Sequence, residues 1–124
     1  MKKIIDTDKA PAAIGPYSQA VEIRDTLYIS GQLPLQPHNM EMPETIEAQT
    51  EQVMKNIGSI LNDAGYDYTN VVKSTIYLAD INDFQTVNEI YGSYYPQDPP
   101  ARSAFQVANL PKGAKVEIET IAVK

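Results

Sequence analysis

Apolar residues alternate with polar ones, or form short β-branched runs, along several stretches of the chain, a pattern typical of strands. The predicted strands are Ile4 with Ile5, a strand pair over residues 18–30, residues 71–78, and two last strands at roughly 101–108 and 115–123. Two other stretches repeat apolar residues at helical spacing, one from about Glu44 to Ala64 and one from Asn82 through Tyr94. Each helix therefore has one apolar face to bury.

Local signals mark the ends of these helices. Gly65 stands where a C′ glycine would end the first helix. Asn82, with Gln85 three residues later, resembles a capping box for the second helix, and PQDPP (96–100) stops that helix because residues before proline avoid the α conformation. Gly58 interrupts the first helix at a cost of about 1 kcal/mol relative to alanine, which close packing against the sheet would explain.

The order of elements is β, β-β, α, β, α, β-β, which predicts an α+β fold with two helices covering one face of a largely antiparallel sheet. We expect the last two strands to pair as a hairpin around NLPKGA (109–114). A chain of 124 residues has the size of one domain with one core, so residues 1–124 are predicted to form a single domain.

Composition removes several classes of function. The formal net charge is −6 and the ten Lys and Arg residues are scattered, which argues against binding to nucleic acid. The absence of cysteine excludes disulfides, thiolate zinc sites and cysteine nucleophiles. The N-terminus has too short an apolar run for a signal peptide, and no stretch is long enough to span a bilayer. We therefore expect a cytoplasmic protein without membrane association.

Candidate chemistry is concentrated in the last two strands. The usual nucleotide, metal and protease motifs are missing, no metal site is expected, and the single His38 has no partnered acid or nucleophile nearby in sequence. In the predicted hairpin, Arg102 lies within a residue or two of Glu117 and Glu119 on the other arm. Two interpretations stay open on the pattern alone: a cross-strand ion pair worth about 0–1 kcal/mol, or an arginine that binds a ligand carboxylate while a glutamate handles water or a proton.

Gly31 follows the predicted strand that ends at Ser30. A glycine at this place serves either a turn, which spacing favours, or the close approach of a ligand or chain segment to the backbone.

Five separated blocks of the sequence resemble the reactive-intermediate deaminase family (RidA, or YjgF-like) in order and spacing. They are APAAIGPYSQA (10–20), Ile29-Ser30-Gly31-Gln32, Asn82-Asp83-Phe84 with Asn88 and Tyr91, Pro100-Ala101-Arg102-Ser103, and KVEIETIAV (115–123). The resemblance covers essentially the whole chain.

This resemblance implies a chorismate-mutase-like (YjgF-like) fold, a homotrimer with sites in the clefts between subunits, and hydrolysis of 2-enamine and 2-imine carboxylates to 2-keto acids and ammonia, without a cofactor. It assigns Arg102 to the substrate carboxylate and Glu117 to the attacking water. The pocket it implies also includes Tyr17, Ser30, Gly31, Asn88, Tyr91 and the backbone at Ala104. A guanidinium beside Glu117 would lower the pKa of that carboxyl and keep it ionised.

Some roles and functions stay open at this stage. Tyr17 serves either the pocket or packing against a neighbouring subunit, and Tyr91 either the pocket or the core. Ala104 stands where many relatives have cysteine, and residues 95–100 are shorter than in bacterial relatives, which leaves substrate preference open. The alternative to catalysis is a non-catalytic, regulatory binder of small 2-keto or imino acids. RNA binding or cleavage is a third reading, disfavoured by the net charge of −6.

Overall fold

A computed structural model describes all residues 1–124 and contains two helices and one six-stranded sheet. The strands are β1 (Lys3–Ile5), β2 (Ala20–Ile23), β3 (Thr26–Gln32), β4 (Val71–Leu78), β5 (Ala101–Gln106) and β6 (Val116–Val123), and the helices are α1 (Ile46–Asp63) and α2 (Phe84–Ser93). Every strand and helix predicted from the sequence pattern is present. The α+β fold class is therefore confirmed.

The sheet has the strand order β1-β2-β3-β6-β4-β5. All neighbours are antiparallel except β4 and β5, which run parallel and are joined through α2 as a β-α-β unit. The predicted C-terminal hairpin is wrong, because β4 lies between β5 and β6. Residues 107–115 form a connection that crosses the end of β4, held there by Val107 N–H donating to Leu78 O and Ala79 N–H donating to Lys115 O.

Both helices lie on the same face of the sheet, as predicted, and the core fills the space between them. The buried apolar residues of α1 are those of its periodic stripe, Val53, Met54, Ile57, Ile60 and Leu61. They meet the inward residues of the central strands, Leu27, Ile29, Ile76, Leu78, Val116 and Ile118. The interpretation of the Met and Ile stripe as core is confirmed. Neither helix is long and apolar enough to cross a membrane.

The helix termini follow the sequence signals only in part. Thr45 caps α1 by accepting a hydrogen bond from Ala48 N–H, and Gly65 follows the helix with φ of +84°, as a C′ glycine does. The predicted capping box at Asn82 is wrong. Instead, Asp80 accepts from Asn82 N–H and caps a short 3₁₀ turn that leads into α2.

Gly58 is explained by a neighbour different from the predicted one. A Cβ built at Gly58 would collide with the hydroxyl of Tyr68, which donates a 2.7 Å hydrogen bond to Met54 O. The close contact is therefore with the tyrosine that follows α1, and not with the sheet.

The second face of the sheet, which carries no helix, is called the open face below. It exposes large apolar side chains from four strands, namely Ile23, Tyr28, Phe105 and Val123. Phe105 packs edge-on against Tyr77 with ring centroids 5.5 Å apart. An exposed apolar surface of this kind is typical of a face that a further protein surface covers.

Candidate functional site

Arg102 lies on the helix side of the sheet, at the second residue of the edge strand β5. Its strand neighbour is Ser74 of β4, which is buried beneath α2. The guanidinium donates a 2.5 Å hydrogen bond to Asn88 Oδ1 and lies 5.4 Å from the ring centroids of both Phe84 and Tyr91. One helix therefore holds the arginine by an amide and two aromatic faces, which leaves further N–H donors for a ligand.

The structure brings three of the predicted site residues together here, Arg102, Asn88 and Tyr91. Tyr91 is also 4% exposed, so its reading as a core residue is confirmed, and burial raises the pKa of its hydroxyl. Its place in a substrate pocket stays a prediction. Phe84 was missed as a site residue. The spacing 84, 88, 91 along α2 places all three on one helix face, and that periodicity was the available signal.

Glu117 lies on the open face, on the strand β6. It is paired across the sheet with Tyr77 of β4 and is bordered by Glu119 two residues further along. Burial, with a smaller contribution from the Glu119 carboxylate, raises the pKa of Glu117 above its ordinary value. The expectation that Arg102 lowers this pKa is wrong within one chain, because the guanidinium is not among its neighbours.

Gly31 lies against the Glu117 side chain, inside β3. The register of β3 and β6 shifts between Ile29 and Gln32. Two residues of β3, Ser30 and Gly31, therefore lie opposite the single residue Glu119 of β6, which is a β-bulge. A Cβ at Gly31 would collide with the Glu117 carboxylate. Close approach therefore explains this glycine, and the turn that spacing favoured is not what the structure shows.

Ser30 and Tyr17 border the same region. Ser30 Oγ donates to Ser18 O at 2.6 Å, which ties the bulge in β3 to the segment before β2. The Tyr17 side chain is half exposed, and its hydroxyl accepts a hydrogen bond from Ile14 N–H at 3.2 Å. A cavity of about 560 Å³ is lined by Tyr17, Ser30, Gly31 and Glu117, together with Ile14, Leu33, Pro111, Lys112 and Glu119.

The loop that carries Tyr17 is held by a buried amide that sequence reasoning overlooked. Gln19 is 2% exposed, and its Nε2 donates to the carbonyls of Ala10 and Pro11 while its Oε1 accepts from Thr7 N–H. These bonds fix residues 7–11 against β2. They also satisfy the amide in the interior, where an unpaired group would be costly.

Arg102 and Glu117 do not meet within one chain. Ser74, the neighbour of Arg102, and Tyr77, the neighbour of Glu117, are three residues apart on β4 and point to opposite faces. Strand spacing and rise place the two Cα atoms roughly 14 Å apart. Ala104 lies beside Ile76 on the same side as Arg102, and packs against the core. The predicted set is thus split into two half-sites, one on each face.

Comparison with known proteins gives one family and close relatives. A family model described as Endoribonuclease L-PSP matches residues 7–124. The 2-iminobutanoate/2-iminopropanoate deaminase of Mus musculus is 55% identical over 125 residues, covering 100% of this chain and 93% of that protein. The crystal structure of RidA from Psychrobacter sp. PAMC 21119 superimposes with a TM-score of 0.96 at 49% identity, covering 98% of this chain and 99% of that one.

A further solved structure holds a small ligand. The crystal structure of Escherichia coli TdcF with bound serine superimposes with a TM-score of 0.95 at 41% identity, covering 98% of each chain.

Proposed function

Because the chain belongs to the RidA family, whose model is described as Endoribonuclease L-PSP, we propose that it hydrolyses 2-enamine and 2-imine carboxylates to 2-keto acids and ammonia. The curated mouse relative is named for this activity on 2-iminobutanoate and 2-iminopropanoate. The observation that carries the proposal is the arginine held between Phe84, Asn88 and Tyr91 at an open cavity.

Arg102 binds the substrate carboxylate. Asn88 takes one N–H of the guanidinium and fixes its plane, while the two aromatic rings hold it from the sides. The remaining N–H groups form a fork that matches a carboxylate, which determines both the position and the orientation of a small planar ligand. The serine bound to the related TdcF is also a small molecule with a carboxylate.

Glu117 acts on water. As the carboxylate, it accepts a proton from a water molecule while the oxygen attacks the imine carbon, and the imine nitrogen takes up a proton. In the resulting amino alcohol the hydroxyl loses its proton as the carbon–oxygen double bond of the 2-keto acid forms, the nitrogen gains a proton, and the carbon–nitrogen bond breaks to release ammonia. Tyr17, Ser30, Gly31 and Ala104 border this reaction as pocket residues, and we propose no cofactor or metal for it.

The active unit we propose is one domain over residues 1–124, repeated in a homotrimer with its sites between subunits. The position of Arg102 and Glu117 on opposite faces supports it, because one small substrate can reach both only when they come from two chains. The exposed apolar side chains of the open face supply surface for association. Light scattering is expected to give three times the mass of one chain. The cytoplasmic location stays a prediction.

The function is tested by generating 2-aminoacrylate with a serine or threonine dehydratase and following the decay of the imine. Decay is expected to accelerate in proportion to the concentration of this protein, and heat-unfolded protein serves as the control. If decay is unchanged while calorimetry shows binding of 2-keto acids, the regulatory binder replaces the enzyme. A regulatory binder would need only the half-site of Arg102. The placement of Arg102 and Glu117 on opposite faces of the sheet therefore does not by itself distinguish the enzyme from the binder.

The pH dependence of the reaction is expected to change in Glu119→Gln. The carboxylate of Glu119 raises the pKa of Glu117, since two nearby negative charges disfavour each other. Removing it lowers the pKa of Glu117, so more of the base is ionised at acid pH and the acid limb of the profile of kcat/KM moves to lower pH. Glu89→Gln, an exposed residue of α2, is the control and is expected to leave the limb in place. A limb that moves to higher pH would contradict the role of Glu117.

RNA cleavage has less support in this chain. The family description names an endoribonuclease, yet the net charge of −6 opposes the capture of phosphates. The single His38 lies in a loop, and its ring contacts the side chain of Asn39. A gel-shift titration at low salt is expected to show no complex with RNA.

A further inference from the structure

A cavity of about 410 Å³ opens beside the guanidinium of Arg102, on the side of the C-terminal half of α2. It is lined by Asn88, Tyr91, Gly92, Tyr95, Pro99, Pro100 and Arg102. Asn88 is already bonded to Arg102, so the remaining wall is made by two tyrosines, two prolines and one glycine. None of these five residues carries a charge.

The tyrosine hydroxyls face away from this cavity. The hydroxyl oxygens of Tyr91 and Tyr95 have almost no accessible surface and no hydrogen-bond partner, and they lie with Ser74 and Thr120 in the interior. Ser74 lies close enough to affect the pKa of both tyrosines, and it is paired across the sheet with Thr120. The tyrosine hydroxyls are therefore not available to a ligand at this wall, where the small exposed part of each tyrosine and the two prolines offer mainly carbon.

The cavity also has unused space at its α2 wall. A Cβ built at Gly92 would have no heavy atom within 4 Å. On the chain segment that follows α2, Pro99 and Pro100 line the cavity with rings whose φ angles are fixed. The cavity volume of about 410 Å³ is much larger than a methyl or ethyl group, which are the side chains of the two small imines for which the mouse relative is named.

We infer that this cavity is the subsite for the side chain of the substrate, and that it selects apolar 2-imino acids with side chains larger than ethyl. The inference rests on the proposed function, because it takes the carboxylate of the substrate to be on Arg102. With the carboxylate on the guanidinium fork, the imine carbon is directed to Glu117 of another chain and the side chain is left to enter the cavity. Each methylene buried there is expected to raise kcat/KM by about fourfold.

The test compares the imines that an L-amino acid oxidase generates from leucine and from alanine. The measured quantity is the ratio of the two kcat/KM values, which does not depend on the fraction of folded protein. In the wild type the ratio is expected to be at least ~10 in favour of the leucine imine. Gly92→Leu fills the cavity and is expected to lower the ratio at least ~10-fold.

Two control variants separate the cavity from effects on the helix. Gly92→Ala makes the same change in helix propensity while filling little space, and it is expected to lower the ratio far less than Gly92→Leu does. Gln85→Leu adds the same side chain at an exposed position of α2 outside the cavity, and its ratio is expected to equal that of the wild type.

Product inhibition gives a second measurement that needs no variant. If the inference holds, 4-methyl-2-oxopentanoate inhibits at a concentration at least ~10-fold lower than pyruvate does. Equal inhibition by the two keto acids, or a ratio that Gly92→Leu leaves unchanged, overturns the subsite. Failure of the wild type to accelerate the decay of either imine overturns the proposed function instead, so the two failures are distinguishable.

Discussion

Arg102→Ala is expected to lower kcat/KM for imine hydrolysis by about 10²–10⁴ without unfolding the protein. The substitution removes two charge-assisted hydrogen bonds to the substrate carboxylate, and each such bond contributes about 1.5–3 kcal/mol. Stability should change little, because Arg102 is exposed on an edge strand. The imine decay assay measures the loss, and urea unfolding checks the fold.

A charge-conserving pair of variants separates the geometry of Arg102 from its charge. Arg102→Lys keeps one positive charge but loses the planar fork and its fit between Phe84 and Tyr91, so it is expected to recover only a small part of the lost activity. Arg24→Lys changes the only other arginine of the chain, in the turn between β2 and β3, and is expected to retain full activity. Full activity in Arg102→Ala would remove the arginine from the mechanism.

Mixing two inactive variants is expected to restore activity. Glu117→Gln cannot take a proton from water and should lower kcat/KM by about 10²–10⁴ on its own. Glu117→Gln is refolded together with an equal amount of Arg102→Ala. A site that takes Arg102 from one chain and Glu117 from another then contains both native residues in about a quarter of cases, because each of the two chains is the required variant in about half of them. Activity is therefore expected to return to about a quarter of the wild-type value.

The control for this experiment is the double variant Arg102→Ala/Glu117→Gln. Mixed with Arg102→Ala, it can form no site with both groups, so its mixtures should stay inactive. Two different affinity tags, pulled down in sequence, show whether mixed oligomers have formed. Mixed oligomers of the two single variants that remain inactive would place both groups in one chain, contrary to their arrangement on opposite faces of the sheet.

Arg102 and Glu117 illustrate how far sequence reasoning reached. Both were singled out because they lie on consecutive strands, and the family resemblance, which the family match confirms, assigned them separate tasks. The hairpin that was to bring them together does not exist, since β4 is inserted between the two strands. Their catalytic roles stay predictions, whereas their separation is a property of the fold.

The sequence by itself determined the elements, the α+β class and the family. The apolar stripe of α1, its C′ glycine Gly65 and the β-branched run of β4 are signals between residues close in the chain, and such signals depend on backbone geometry that is the same in every fold. The five sequence blocks, by their residues, order and spacing, indicated the family in the same way.

Only the tertiary structure decided which strands are neighbours and which face each side chain occupies. The pairing of β6 with β3 and β4 joins segments that are far apart in sequence, and it is set by the packing of the whole sheet under two helices. The contact of Gly31 with Glu117 follows from that pairing, and the stacking of Phe84 on Arg102 follows from the parallel pairing of β4 and β5 beneath α2. The periodicity of α2 could have placed Phe84 on one helix face with Asn88 and Tyr91, but neither contact was predictable, because a local pattern gives the period of an element and not the partner it packs against.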